Sequence, residues 1–194
     1  MELQHESDVT GSLEKVKGSD NRQNVSSRAD GRGYYNSRDE SESFSLTFAD
    51  ASATTDDYVV FLANDKTDGK DLVVRSASIN GAVASSFEFL RVSGTPSGGA
   101  VAATPFNLNV SGKTKSATAT AMTVVNSNSS PIGGVSDVGL IDHVSLVANG
   151  HEEFRFHDQL RIGQDQCIAI KMRSGAADSA CFGVIFFYFE QGKS

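Results

Sequence analysis

The sequence predicts an all-β fold, a jelly-roll β-sandwich preceded by an extended N-terminal arm, and three observations predict it. Ala180 to Glu190 reads Ala-Cys-Phe-Gly-Val-Ile-Phe-Phe-Tyr-Phe-Glu, an aromatic and β-branched run suited to a pleated, packed surface. Short apolar or alternating runs recur at intervals of about 8–15 residues between turn residues, the spacing of sandwiches and barrels. No convincing amphipathic helix stands among them.

The last strand sets the argument for the rest. At 11 residues it is long for a strand and short for a membrane span. Alternate residues face opposite sides. Phe182, Val184, Phe186 and Tyr188 therefore share one face, and Cys181, Ile185, Phe187 and Phe189 the other. Both faces are apolar, whereas a sheet wetted on one side alternates apolar with polar. One cover is the opposing sheet. The other is expected to be a second copy of the chain, with Ile185, Phe187 and Phe189 as candidate oligomer contacts.

The 194 residues suit one domain plus an extension. With 17 basic and 24 acidic residues the net charge is -7. That argues against a nucleic-acid surface, which is normally basic. No run of 18 apolar residues occurs, so no membrane helix is expected. The polar start, Met1-Glu-Leu-Gln-His-Glu6, lacks an apolar signal core. The expectation is a chain made in the cytosol and kept there or released by lysis. Cys167 and Cys181 are too few for a disulfide framework. On a terminal hairpin they would lie on the order of 15 Å apart, beyond disulfide reach, so buried thiols are expected.

Residues 1–42 read as a separate arm and 43–194 as the sandwich. Through Glu40 the arm holds six basic and eight acidic residues and few large apolar ones, too little to fold alone. A weak helix is suggested over Thr10 to Lys17. Fixing an arm of this size costs roughly 1–2 kcal/mol per residue in backbone entropy, which contacts with a partner would have to offset. Arg28, Arg32, Tyr34, Tyr35 and Arg38 are the candidate partner contacts, being the residue types that carry interface energy.

From Ser43 the pattern is β. Phe44, Leu46 and Phe48 alternate with polar neighbours, and Asp50 to Asp57 reads as a loop. Tyr58 to Ala63 is an inner strand, and Asp68-Gly69 turns into Leu72 to Ile79. Asn80-Gly81 turns again into Val83 to Val92. Ser93 to Thr104 reads as a loop. Pro105 to Val110 and Ala117 to Val124 are strands, and Asn126 to Asp137 is a second loop. Val138 to Val147 is a strand, Asn149-Gly150 a hairpin turn, and Phe154 and Phe156 point inward. Cys167 to Met172 is expected to pair with the last strand.

Motifs for chemistry are few. His151 and His157 on one strand are about 20 Å apart and cannot share an ion. His143 follows Asp142, but no nucleophile elbow accompanies them. Asn64 to Gly69 fails as an EF-hand because Lys66 and Arg75 fall where oxygen ligands belong; Asp65, Asp68 and Asp71 leave only a looser cation site. No phosphate-binding loop is present. The expectation is no catalytic residue, no cofactor and no resident metal.

The polar arm, Pro105-Phe-Asn-Leu-Asn-Val110, the hydroxyl-rich Ala117-Thr-Ala-Thr-Ala121 and the terminal Phe187-Tyr-Phe-Glu190 together resemble the jelly-roll decoration, or cement, proteins of tailed bacteriophage heads. The likeness covers roughly Ser43 to Glu190 and is one of style. It implies a homotrimer on the outer capsid surface that bridges major capsid proteins, made in the host cytoplasm, with no nucleic acid or membrane as partner. Trimeric tumour-necrosis-factor-like and complement-like heads share the architecture. The alternative is therefore a receptor- or glycan-binding head of a tail fibre or adhesin, with Ser93–Thr104 and Asn126–Asp137 as binding loops.

Overall fold

The computed structural model describes residues 42–109, 116–117, 119–124, 132–176 and 179–191, with two short strands at residues 4–6 and 13–15. The chain divides into two compact units, Met1–Asp30 and Gly31–Ser194. In the first, β1 (Gln4–Glu6) pairs antiparallel with β2 (Leu13–Lys15). The helix suggested over Thr10 to Lys17 is thus replaced by strand at Leu13–Lys15. So short a segment cannot offset helix nucleation, and cross-strand pairing satisfies its backbone instead.

The second unit contains β3 (Ser43–Ala53), β4 (Tyr58–Asn64), β5 (Lys70–Gly81), β6 (Ser85–Gly98), β7 (Ala100–Ala103) and β8 (Phe106–Asn107). They are followed by β9 (Ala119–Val124), β10 (Ile132–Leu146), β11 (Gly150–Ile162), β12 (Cys167–Ser174) and β13 (Ser179–Gln191). They form two antiparallel sheets, β11-β5-β13-β3-β8 and β10-β6-β12-β4-β9-β7. The unit is a β-sandwich, as the alternation predicted.

The turns work differently from the expectation. From β3 to β6, and again from β10 to β13, each strand lies in the opposite sheet from the one before it. Asp68-Gly69, Asn80-Gly81 and Asn149-Gly150 are therefore corners between sheets, not hairpins within one. Turn chemistry reverses the chain equally well in both settings; Asn149 has φ 56° and Gly69 φ 75°. For the same reason β12 does not pair with the last strand. It lies between β4 and β6, with Ala169 opposite Phe61 and Leu90. Cys167 and Cys181 consequently sit in different sheets, both buried and free. The loop expected over Asp50–Asp57 is strand as far as Ala53, most of Ser93–Thr104 is β6 and β7, and 132–137 of the second loop belongs to β10. Backbone pairing at Gly- and Ser-rich positions overrode their weak strand propensity.

The core lies between the sheets. Phe44, Leu46, Phe48, Ile185, Phe187 and Phe189 from the five-stranded sheet meet Val60, Leu62, Phe87, Phe89, Ile168 and Ile170 from the other. Phe44 stacks on Phe187 with centroids 5.6 Å apart, and Phe89 bridges the sheets to Phe154 at 5.5 Å. A second cluster, Tyr58, Phe61, Leu90, Val92, Ile132, Cys167 and Ala169, sits on the outer side of the six-stranded sheet. The paired ends of β6 and β10 fold over it, bringing Ile132 onto it. That bend requires glycine at two facing positions. Gly94 and Gly134 have φ 104° and 73°, and a Cβ on either would fall 2.1 and 2.3 Å from a carbonyl oxygen of the other strand. The cover is fastened where Asp137 of β10 accepts hydrogen bonds from Tyr58 and from Lys171 Nζ at 3.0 Å. Burial alone would raise the Asp137 carboxyl, but the Tyr58 hydroxyl, Lys171 and Arg173 outweigh it and hold the group below the ordinary carboxylate range.

Asp50 is a buried carboxylate three residues before the end of β3. Desolvation pushes its pKa up, the Ser52 N–H opposes this, and Asp57 adds to the rise. A folded-state pKa above the unfolded one means the folded protein takes up the proton first as pH falls. The charged form costs stability above the folded pKa, and the cost disappears below the unfolded value. Asp50→Asn keeps an oxygen for Ser52 and is expected to be more stable than wild type at pH 7. The gap should close towards pH ~4, as checked by urea unfolding at both pH values.

Candidate functional site

The five-stranded sheet has one face in the core and one outside. Ile185, Phe187 and Phe189, the candidate oligomer contacts, are on the inner face at 1, 2 and 1% exposure. They are covered by the opposing sheet of their own chain and offer no surface to a second copy. The expectation of two apolar faces on β13 holds, but the assignment of which one is open is reversed. Phe182 is 60% exposed and Phe186 36%, with Val184 half-buried between them. Tyr188, which alternation places on the same side, is buried.

Register lays this outer face out in rows. His151, Asn80, Phe182 and Ala49 form the first; Glu153, Ser78, Val184 and Thr47 the second. Arg155, Ser76, Phe186, Ser45 and Phe106 form the third. A Phe–Val–Phe ridge thus rises on the central strand, with small Ala, Ser, Thr and Asn side chains on β3 and β5 beside it. Phe106, 63% exposed, stands at the β8 margin, and His151, Glu153 and Arg155 line the β11 margin. The sequence signal for the ridge was the uninterrupted apolar character of β13.

At the β11 margin the ladder breaks. Arg155 pairs with Ser76 and Leu160 with Val74, so residues 156–159 oppose Arg75 alone. Arg75 also bulges from its ladder with β13. His157 and Asp158 hold φ 47° and 62°, the left-handed region that costs most side chains energy. The result is a cleft of about 330 Å³ lined by Arg75, Ser76, Glu153, Arg155, His157 and Asp158. Arg155 donates to Glu153 at 2.7 Å. This hydrogen bond, ahead of others including one from Ser76, holds the Glu153 carboxyl below its ordinary range. The sequence carries no bulge signal here, because the residues involved are ordinary strand-face polar types.

Arg28, Arg32, Tyr34, Tyr35 and Arg38 lie outside the described residues. Asp68 pairs with Lys66 at 3.7 Å and Asp71 with Arg161 at 3.6 Å. The carboxylates of the candidate cation loop thus turn to different cations, and no group of three ligating side chains converges among the described residues. His151 hydrogen-bonds Asn80 and lies across the bulge from His157. Of the two nominated glycan loops, the first is largely strand and 126–131 of the second lies outside the described residues. The chain matches no protein-family model, no curated protein and no solved structure.

Proposed function

We propose that this chain is a structural virion protein of the jelly-roll class. In this reading it decorates the head of a tailed phage as a homotrimer and bridges major capsid proteins. Two things support the jelly-roll assignment: strands alternate between sheets from β3 to β6 and from β10 to β13, and β3-β13-β5-β11 faces β4-β12-β6-β10 as two sets of four. Double-sheet jelly rolls of eight strands are a recurrent capsid architecture; fold alone does not carry function.

The observation that carries the reading is the exposure of Phe182 and Phe186 on either side of half-buried Val184, with Phe106 beside them. A buried Phe covers 150–250 Å², so these exposures leave roughly 300 Å² of aromatic surface on one face. The largest apolar patch on a typical monomer is about 300–600 Å² and is often functional, and this one lies at the low end of that range. A second copy is the occupant the surface fits: the ridge of one copy can seat on the small-residue rows of the next, the head-to-tail contact a closed trimer needs, and the margin is polar, as interface rims are.

Phe182→Ser with Phe186→Ser is expected to convert a trimer to a folded monomer whose melting temperature no longer depends on protein concentration, read by native mass measurement and sedimentation. A wild-type monomer at micromolar concentration would sink the reading. Deleting residues 1–40 is expected to leave a folded trimer that no longer cosediments with phage heads; normal occupancy by the truncated chain would count against the bridging role of the arm.

A further inference from the structure

We propose that the cleft at the β11 bulge binds a saccharide bearing a carboxylate, seated on Arg75 and Asp158. The cleft borders the proposed self-association face and shares Ser76 with it, while Arg75 and Asp158 lie outside its rows, so binding is read separately from oligomeric state.

Three observations converge there. No hydrogen bond or ion pair engages the Arg75 side chain among the described residues, although it lines the cleft. Asp158 Oδ1 is buried with no hydrogen-bond partner. Native structures rarely leave such an atom unpaired without a reason. Arg155 and Glu153 neutralise each other at the wall, which leaves the Arg75 guanidinium, the Asp158 carboxylate and the His157 imidazole free among the described residues. Finally, two successive non-glycine residues are held left-handed to open the space. Backbone strain of this kind persists where surrounding structure enforces it, and it gathers at ligand sites.

The ligand chemistry follows from the free groups. A guanidinium presents a planar fork that a carboxylate fills with two parallel hydrogen bonds. Once the Asp158 carboxylate turns Oδ1 towards the cleft it needs a donor, which a simple anion lacks and a hydroxyl supplies. A molecule carrying both a carboxylate and adjacent hydroxyls completes Arg75 and Asp158 together. The volume, about 330 Å³, falls in the range of small-molecule sites.

The test is calorimetric titration of the full chain with galacturonate, galactose and acetate. Galacturonate is expected to bind at least tenfold more tightly than either of the others. Arg75→Lys, which keeps the charge and loses the fork, should weaken galacturonate about tenfold. Asp158→Gly should abolish the preference over acetate while raising the melting temperature by a few degrees, as left-handed strain is relieved. Arg173→Ala, on the other sheet, should change neither. Absent galacturonate binding, equal binding of acetate or galactose, or unchanged affinity in Arg75→Lys and Asp158→Gly would each overturn the proposal.

Discussion

Gly183→Ala is expected to destabilise the sandwich by about 3 kcal/mol and to lower its melting temperature by roughly 6–12 °C. Gly183 sits on the inner face of β13, opposite Phe48 on β3 and Ile79 on β5. A methyl group there would lie 2.1 Å from the Ser78 carbonyl oxygen and 2.5 Å from Cζ of Phe48. Neither is the far end of a flexible side chain. Ser78 belongs to the backbone of the neighbouring strand, and the Phe48 ring is buried in the core. The central strand must shift away from β5 or the ring must leave its rotamer, and both disturb close packing. Adding Phe48→Leu should recover part of the loss and no more, because the Ser78 contact remains. A single variant melting within 2 °C of wild type, roughly 1 kcal/mol at this size, would show that the space is not closed.

Asn64→Asp is expected to be at least as damaging at neutral pH, at about 3 kcal/mol or more. Asn64 is the last residue of β4 and is fully buried. Its Nδ2 donates to the carbonyls of Ile162 at 2.8 Å and Lys70 at 3.0 Å, and its Oδ1 accepts from the Lys66 N–H at 3.1 Å. One amide thereby ties together the start of β5, the end of β11 and the corner between β4 and β5. The substitution preserves shape but removes both donors. It places an anion against two carbonyl oxygens in a site without water-like screening. The introduced carboxyl has a folded pKa raised above its unfolded value. Its penalty is greatest above the folded pKa and shrinks as pH falls, since the protonated form regains one donor. Urea unfolding at pH 7 and pH 4.5 reads this directly. A pH-independent loss would mean that lost shape, not charge, is responsible.

The two sites differ in how far they could be read from the chain. Gly183 interrupts an aromatic run, which flags a close approach but does not name what approaches. Asn64 begins a run of turn residues and reads as loop chemistry; only its depth reveals a three-way tie. The cleft at His157 and Asp158 was less legible still. Nothing in His-Asp-Gln after Phe156 specifies four residues against one. A bulge is a mismatch between two strands, so it exists only once the pairing does.

Alternation along single strands determined, by itself, that this chain is an antiparallel β-sandwich with apolar character on both sides of its last strand. Side-chain direction in a strand is a local property of period two, and local residues suffice to state it. Which side of β13 faces inward could not follow from that, because a period of two treats both sides alike. Tertiary packing decided it, by closing the opposing sheet over Ile185, Phe187 and Phe189 and leaving Phe182 and Phe186 to the solvent. The same holds for the corners. Asn-Gly reverses a chain wherever it stands, and whether it joins neighbours in one sheet or crosses to the other depends on contacts far away in sequence.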